Sequence, residues 1–277
     1  MMRNRKLLIN FMVLYFVLLI SCSETTRQYR DTRINYDSLA ASIPKSDTLT
    51  FLTSDISDTN TDYKYYINCV YPRLIHFDKE SVQRAVNDSI ENKLHEVIDL
   101  FENDQELMFG DSSDMEWPED FDEYQSRYSY LGINYELINN SRELLSLILN
   151  VEHYTAFAAH PISYHKSLNF DMGSGEILSL ENFIGTIDSS FLQNLSERSF
   201  HKIMKMDISD SVWIRDGLLP KWENFKNYNI TRDSLFLTFD VYQVAPYAVG
   251  PVRLSIPWTE LIEPKNRPVE VEDTLSE

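Results

Sequence analysis

The stretch SLFLTFDVYQVAPYAVGPVRLSIPW, residues 234–258, decides how this chain folds. Apolar side chains alternate with other residues in both of its halves, at Leu235, Leu237, Phe239 and Val241 and then at Val252, Leu254, Ile256 and Trp258. Strict alternation is typical of strands with one buried face, so the two halves predict a β-hairpin. The connecting loop, residues 245–251, holds two prolines and one glycine but no charge. Because loop backbone usually needs polar surroundings, we expect this loop to lie beneath another element or to face a partner.

The clearest helix pattern begins after Asp78. The Asp78 side chain can cap the first turn, and Phe77 and Val82 occupy the two positions of a hydrophobic staple. Apolar residues then recur at helical spacing, at Val82, Val86, Ile90, Leu94, Val97 and Phe101. We expect the helix to end before residues 102–123, which hold ten acidic residues and no Lys or Arg. Repulsion between the carboxylates should keep that tract open as a solvated connector.

Strand patterns occur before and after this helix. They cover residues 47–53, 62–74, 128–138, 144–154 and 164–170, with a turn at residues 54–60. A second helix is expected to start at Asp188 or Ser189 and to continue to about Met206. The predicted fold class is therefore α+β, with a small strand–helix lobe followed by a larger, mainly antiparallel sheet with a packed helix.

The N-terminus has the features of an export signal. A basic start precedes an apolar run, residues 7–20, which is shorter than the roughly 20 residues of a transmembrane helix. The run ends in Leu19-Ile20-Ser21-Cys22, which is similar to a bacterial lipobox. We therefore expect a signal peptide at residues 1–21, a lipid on Cys22 and a flexible tether at residues 22–46. Ser23 stands where inner-membrane lipoproteins commonly have Asp, which favours the outer membrane, on its periplasmic or surface face.

Composition narrows the classes of partner. The formal net charge is −18, which argues against nucleic acid and against electrostatic adhesion to an anionic bilayer, because both need clustered Lys and Arg. The chain contains two cysteines, and lipidation of one would leave Cys69 without an internal disulfide partner. Since Cys69 lies in a predicted strand, we expect a buried, inert thiol.

Three blocks of sequence after residue 140 carry a resemblance to a known family. They are Leu145-Ser-Leu147 leading into Ala159-His160-Pro161, then Asn169-Phe-Asp171 with residues 173–175 and Leu178-Ser-Leu180, and finally Tyr242-Gln-Val-Ala-Pro-Tyr247 with Gly250 and Ile256-Pro257. In this order they resemble the C-terminal extracytoplasmic domain of unknown function shared by RsiV-type anti-sigma factors and PdaC-type peptidoglycan deacetylases. Residues 63–74 and the following helix are similar to the small PdaC-type domain that precedes it. Related sequences commonly have glycines where this chain has Phe157-Ala158.

The resemblance implies a domain order and a function. It implies a PdaC-like N-terminal domain with the acidic connector at residues 47–125, an RsiV-like C-terminal domain at residues 126–264 and a disordered acidic tail at residues 265–277. In RsiV-type proteins the C-terminal module binds lysozyme, and in PdaC-type proteins it accompanies a separate deacetylase domain. We expect this chain to lack the sigma-binding part and the deacetylase domain. It would then be a non-catalytic cell-envelope lipoprotein that binds a protein or a peptidoglycan-related glycan.

Candidate site residues lie within these blocks. The ligand-binding surface is expected to include His160, Tyr242, Pro246, Tyr247 and Gly250. Amphipathic rings are favoured in interfaces, although we expect most aromatic side chains near these loops to lie in the core, with Tyr247 and one Trp as exceptions. The alternative is a cell-wall hydrolase or deacetylase-like enzyme in which His160 is a general base oriented by Asp171.

We predict no cofactor and no metal site. His153, His160 and His165 do not follow a known ligand spacing. The acidic tract lacks the regular Asp spacing of a Ca²⁺ loop. The sequence also has no Gly-rich phosphate loop and no Cys-x-x-Cys pair, so redox and nucleotide chemistry have no motif to support them.

Overall fold

The computed structural model describes residues 48–109 and 128–261. The predicted signal peptide, Cys22, the tether, most of the acidic connector and the predicted tail lie outside the described residues. Within the described ranges the chain forms a five-stranded sheet, a three-stranded sheet and several helices. The predicted α+β fold class is confirmed. Among the helices of these ranges, none combines the length and the apolar character that crossing a bilayer demands.

The five-stranded sheet keeps its strands in chain order. These are β1 (Thr50–Asn60), β2 (Tyr65–Ile75), β3 (Ser129–Asn140), β4 (Leu144–Tyr154) and β5 (Ile162–Asp171). Neighbouring strands pair antiparallel, except that β2 and β3 are parallel. A parallel pair needs a long crossover connection, and helix α1 (Glu80–Phe109) lies in it.

Helix α1 covers one face of this sheet. Its Ile90 and Leu94 side chains are fully buried against strand residues such as Leu131 and Leu149. Burying one such side chain stabilises the folded state by about 1.5–3 kcal/mol relative to leaving it exposed. Cys69 belongs to the same core, and burial raises the pKa of its thiol to about 12. The prediction of a buried thiol at Cys69 is therefore confirmed.

Helix α1 is longer than the sequence pattern predicted. It continues to Phe109, so the first acidic residues of the predicted open connector lie on its last turns. The reason is that Phe101, Gln105 and Phe109 are all buried and continue one helix face at a spacing of four residues. Asp104 and Glu106 lie between these positions and are exposed, so their charges stay in water.

Strand β1 corrects a second expectation. Residues 54–60 were predicted to form a turn, but they belong to β1, which pairs with β2 without interruption as far as the Asn60–Tyr65 pair. Turn-forming residue types are tolerated here because β1 is an edge strand, its residues 57–59 are exposed, and β2 satisfies its backbone on one side. The actual turn follows Asn60, whose Oδ1 accepts from the backbone N–H of Asp62 (3.0 Å) and Tyr63 (2.9 Å).

The three-stranded sheet contains the predicted hairpin. Its strands are β6 (Tyr228–Ile230), β7 (Ser234–Phe239) and β8 (Val252–Pro257), in that order and antiparallel. The alternating residues Leu235, Leu237, Phe239, Val252, Leu254 and Ile256 are all buried, so the predicted hairpin is confirmed. Val241 and Trp258, predicted to continue the alternation, lie beyond the ends of β7 and β8.

Four helices belong to the part of the chain around this second sheet. They are α2 (Leu180–Ile184), α3 (Ser189–Met204), α4 (Ser211–Gly217) and α5 (Trp258–Leu261). Each contributes buried side chains to a second hydrophobic core with the hairpin. The predicted start of α3 is confirmed, since the Asp188 carboxylate accepts a hydrogen bond from Phe191 N at 2.8 Å.

A polar seam, formed by Ser146, Asn169 and Asn229, joins the two sheets. All three side chains are at most 3% exposed. Asn169 Oδ1 accepts from Ser146 Oγ (2.7 Å) and from Ile230 N (2.8 Å). Asn229 Nδ2 donates to Ser146 Oγ (2.9 Å) and to Leu147 O (2.8 Å). Because unpaired buried polar groups are costly, these bonds fix how the sheets meet.

The predicted boundary between residues 125 and 126 does not separate two sheets. Strands β2 and β3 lie on either side of it and pair with each other. The strands expected for two lobes therefore form one sheet, and the second sheet begins only after β5. The domain limits along the chain stay a prediction.

Candidate functional site

The turn after β7 positions Tyr242. Tyr242 has a φ of 67°, in the left-handed region that is strained for a large side chain. The Gln243 side chain fixes the turn, because its Oε1 accepts from Asp240 N (3.3 Å). Its Nε2 donates to Gly217 O (3.2 Å) and to Asn224 O (2.9 Å). The Tyr242 side chain is 50% exposed, so burial does not explain why a tyrosine occupies a strained position.

Helix α4 lies against the same turn. A Cβ atom on Gly217 would lie only 1.9 Å from Gln243 O, so no larger residue fits there without displacing backbone. Trp213 of α4 donates its Nε1–H to Tyr242 O at 3.0 Å. The backbone of the turn is thus fixed by contacts from α4, and the Tyr242 ring extends from a rigid support.

His160 lies in the connection between β4 and β5. Pro161 O accepts hydrogen bonds from His160 Nδ1 (2.9 Å) and from Tyr247 Oη (2.9 Å). A carbonyl oxygen can only accept, so neutral His160 carries its proton on Nδ1 and has an acceptor at Nε2. That Nε2 faces Tyr242 Oη in a long contact of 3.4 Å. Contacts at both ring nitrogens therefore fix the orientation of the His160 ring.

Together His160, Tyr242 and Tyr247 form an aromatic cluster. The His160 and Tyr247 rings stack with their centroids 4.1 Å apart and their planes inclined by 26°. The Tyr242 ring centroid lies 5.5 Å from that of Tyr247 and 6.4 Å from that of His160. His160 and Tyr242 are 82 positions apart in the sequence. The fold thus brings three of the five predicted binding residues into direct contact.

The other two predicted binding residues lie at the ends of one short 3-10 helix, Tyr247–Val249. Pro246 precedes it and is exposed, and Gly250 ends it with a φ of 79°. Ala245 is buried and anchors the start of the loop. From Pro246 onward the uncharged loop is exposed or half-buried, so most of it does not lie beneath another element. A facing partner therefore stays the prediction for this loop.

Phe157, near His160, departs from what was expected. Its φ is 69°, a conformation that glycine adopts without strain, and the resemblance stated from sequence leads us to expect glycine at this position. Its side chain is 62% exposed, although most aromatic side chains of these loops were predicted to be buried. Tyr242 is exposed as well, and Tyr154, Trp213, Trp222 and Tyr247 are half-buried, so the prediction that most of these rings lie in the core is wrong.

A shallow depression of about 730 Å³ adjoins the aromatic cluster at Tyr242. Its lining combines the Trp213 and Tyr242 rings with the carboxylates of Asp210 and Asp216. Asp210 also caps α4, since its Oδ1 accepts from Val212 N and Trp213 N, both at 2.9 Å. A ligand held by the cluster could extend into this depression and meet both rings and carboxylates.

A partly buried polar pair that sequence reasoning missed connects the turn to the first sheet. His165 in β5 is 5% exposed, and its Nδ1 lies 2.7 Å from Asp240 Oδ1. Asn227 Nδ2 donates to the other carboxylate oxygen at 3.0 Å. Asp240 directly precedes the turn of Tyr242, so this pair helps to position the aromatic cluster. No local signal marks the pair, because it depends on contacts between distant segments.

Asp171 is not placed to orient His160. His160 precedes β5 and Asp171 ends it, so about 30 Å of extended strand separates them. The Asp171 carboxylate instead accepts from Gly173 N (2.8 Å) and from Ser174 Oγ (3.1 Å) in the next turn.

The three histidines of the β4–β5 region are also apart. The His153 ring lies against Phe101 of α1 with centroids 6.5 Å apart, whereas His165 bonds Asp240 on the other side of the sheet. In the parts of the chain that the structure describes, no group of three or more His, Cys, Asp and Glu side chains could hold a metal ion.

Fold and surface together define an α+β protein with two sheets and an exposed aromatic cluster. A family model described as "Protein of unknown function (DUF3298)" matches residues 184–259. Residues 184–259 of this chain therefore resemble a DUF3298 domain. The match includes four of the five predicted binding residues, Tyr242, Pro246, Tyr247 and Gly250, while His160 lies outside it.

One curated protein and two solved structures are similar to this chain. The peptidoglycan-N-acetylmuramic acid deacetylase PdaC of Bacillus subtilis (strain 168) is 28% identical over 136 residues, covering 48% of this chain and 29% of PdaC. The chain thus spans less than a third of that relative. A DUF3298 family member from Bacteroides fragilis has 21% identity, a TM-score of 0.55 and coverage of 78% of this chain and 93% of its own. A DUF3298 family protein from Pseudomonas aeruginosa PAO1 has 16% identity, a TM-score of 0.53 and coverage of 84% and 100%.

These similarities bear on the resemblance stated from sequence. The resemblance to PdaC and to a domain of unknown function is confirmed, and the chain is a PdaC/DUF3298-like protein. The two solved structures support the fold alone. The RsiV-type assignment and the lipid on Cys22 stay predictions.

Proposed function

We propose that this chain is a cell-envelope lipoprotein, exported and anchored through Cys22, which binds its ligand through the aromatic cluster without converting it. The ligand is a protein or a peptidoglycan-related glycan. Similarity to PdaC, whose name specifies peptidoglycan, supports a role at the cell wall. The Leu19–Cys22 motif supports lipidation and export.

One observation carries the proposal, namely the strained and exposed Tyr242. A tyrosine at a φ of 67° costs free energy relative to Asn or Gly, and strain of this kind clusters at functional sites. The turn is nevertheless fixed by Gln243 and by Trp213 Nε1. A rigid backbone that presents a half-exposed ring beside two further rings is preorganised for binding, since little side-chain entropy is lost when a ligand arrives.

The substitution Tyr242→Asn tests the proposal. Asn tolerates a positive φ better than Tyr, so the free energy of unfolding should be unchanged or higher while the ring is lost. The full chain is mixed with purified peptidoglycan sacculi, and the bound fraction is measured by sedimentation. We expect retention of the wild type and a loss of about tenfold in affinity for the variant, as for a residue central to an interface.

The matched control is His76→Asn, which makes the same kind of exchange at a φ of 57° after β2. Sacculi are used before and after protease treatment, because removal of attached proteins separates a protein ligand from a glycan ligand. The proposal is wrong if neither preparation retains the wild type, or if Tyr242→Asn binds as well as His76→Asn.

Lipidation has a separate test. The chain is expressed with its N-terminus intact, and the N-terminal peptide is analysed by mass spectrometry. We expect an acylated Cys22 terminus in the membrane fraction, abolished by Cys22→Ser. An unmodified Met1 terminus on a protein in the cytosol would contradict the proposed anchoring.

A further inference from the structure

Three tyrosines form a row across the five-stranded sheet, and we call them the tyrosine row. Tyr66 in β2, Tyr130 in β3 and Tyr154 in β4 are register partners on three neighbouring strands. The ring centroids lie 5.6 Å apart for Tyr66 and Tyr130 and 5.8 Å apart for Tyr130 and Tyr154. The ring planes are inclined by only 20° and 26°. The row is therefore regular in both spacing and orientation.

The tyrosine row lies on the sheet face that α1 does not cover. Tyr65 and Leu131, adjacent in sequence to Tyr66 and Tyr130, are buried in the α1 core, so the tyrosines that follow or precede them face the opposite side. Tyr66 is 40% exposed. On the same face, the side chain of Glu152 is also exposed.

A glycine without a structural reason lies beside the row. Gly132 is two residues after Tyr130 in β3 and pairs with Asn68 and Glu152. Glycine weakens the interior of a strand, and its usual reasons are a positive φ or a close contact. Gly132 is not among the glycines with a positive φ, and a Cβ atom on it would have only Glu152 O within 4 Å, at an ordinary 3.8 Å. The fold would accept a larger residue, whereas glycine leaves room for another molecule to approach the sheet.

The register neighbours of Gly132 are neutral or acidic, and Arg253, which reaches the same sheet face at Asn150, is paired with Glu136. Asn68 and Glu152 flank it, and Tyr130 Oη donates to Glu152 Oε1 at 2.5 Å. Burial, followed by the interaction with Glu152, raises the pKa of Tyr130, so its hydroxyl stays protonated and keeps donating. Tyr154 ends β4, and His160 follows in the connection to β5, so the row and the aromatic cluster lie at the same end of the sheet.

This chemistry selects one kind of occupant. The three rings are stacked and cover much of one another's faces, so the row presents ring edges and hydroxyl groups, which together with the neighbouring amides and carboxylates can bind the hydroxyl and acetamido groups of sugars. Glu152 and the net charge of −18 disfavour a polyanion. The spacing of the three rings is close to the length of one pyranose unit in an extended β-1,4-linked chain, which a regular linear polymer could match.

We propose that the tyrosine row and Gly132 form a track for an extended, neutral β-1,4-linked N-acetylhexosamine strand, which continues toward the aromatic cluster. This inference rests on the proposed function, because it names the glycan among the two ligand classes. It adds a binding surface in β2, β3 and β4, outside the segment that the DUF3298 model matches.

The test measures binding of the hexamer of N-acetylglucosamine to the purified full chain by isothermal titration calorimetry. Gly132→Val should weaken binding about tenfold or more, because the side chain fills the track. Its melting temperature should be unchanged or higher, because valine favours strands. Gly132→Ala should have an intermediate affinity, and Tyr66→Ala should weaken binding with little loss of stability.

Leu107→Ala is the matched control, since Leu107 is 83% exposed on α1, which packs on the opposite side of the sheet. Absence of hexamer binding to the wild type, or wild-type affinity in Gly132→Val, would overturn the track. If Tyr242→Asn abolishes retention on sacculi while Gly132→Val and Tyr66→Ala leave it intact, the proposed function stands and the track is wrong. If only the Gly132 and Tyr66 variants lose binding, the track stands and the aromatic cluster is not the site.

Discussion

The face of the five-stranded sheet that packs on α1 and the face that is turned away from α1 are built from different chemistry. Toward α1 most side chains are apolar and buried, as at Leu131 and Leu149. On the other face, β4 and β5 meet the second sheet through the polar seam, and the tyrosine row lies beside it. The comparison teaches that the first face secures folding, while the second has polar and aromatic groups available for binding.

The largest expected effect comes from a substitution in the core between α1 and the five-stranded sheet. Leu94→Ala should lower the free energy of unfolding by about 3–4 kcal/mol, because it removes buried methyl groups and leaves a cavity. Leu100→Ala on the same helix is the control, since Leu100 is 56% exposed and should change stability by less than about 0.5 kcal/mol. Urea unfolding followed by circular dichroism measures both. Equal effects of the two substitutions would contradict the assignment of the buried helix face.

An intermediate effect is expected in the polar seam. Asn169→Ala removes the acceptor of Ile230 N and the donor to Tyr228 O (3.1 Å), so buried groups lose their partners. The cost should be about 2–3 kcal/mol in unfolding free energy. Asn134→Ala on the exposed part of the same face is the control and should cost less than about 0.5 kcal/mol. If the Asn169 side chain only filled space, Asn169→Ala would leave the urea midpoint as little changed as Asn134→Ala does. That result would contradict the role of the polar seam.

The smallest expected effect is a pH dependence of the unfolding free energy due to His153, which lies on the sheet face that packs on α1. Burial lowers the pKa of His153, although the nearby Asp104 partly opposes this. The folded state therefore keeps His153 neutral, while the unfolded chain takes up a proton near pH 6.5. Its contribution to stability is fully present above that pH and is lost as the pH falls from there through the lower folded pKa.

The substitution His153→Phe checks this dependence, since it keeps a ring beside Phe101 and Tyr164. The fall in unfolding free energy between pH 7.5 and pH 5 should be smaller in the variant than in the wild type. Parallel pH profiles would show that His153 is not buried as a neutral group.

Local patterns predicted the elements of this fold and left their assembly open. The alternation of residues 234–258 and the spacing after Asp78 predicted the hairpin and the start of α1, because each depends on one period along the chain. The pairing of β2 with β3 was not predictable in this way. Between Ile75, which ends β2, and Ser129, which begins β3, lie 53 residues, and no local period indicates which distant strands pair. The extension of α1 to Phe109 was missed because charge repulsion was weighed above the buried spacing of Phe101, Gln105 and Phe109.

The candidate site was predictable only in part. His160, Tyr242 and Tyr247 were named from sequence and lie in contact. The His165–Asp240 pair and the tyrosine row were missed, because cross-strand register decides both and a single strand does not reveal it. Glycine in the interior of β3 was the one available signal for the row.

Hydrogen–deuterium exchange tests most directly whether the face turned away from α1 is the binding face. Exchange of the full chain is compared with and without purified peptidoglycan sacculi. We expect added protection in residues 157–162 and 240–251 and in the strands that carry the tyrosine row, with no change in α1. Protection confined to α1, or none in any segment, would contradict the assignment of function to this face.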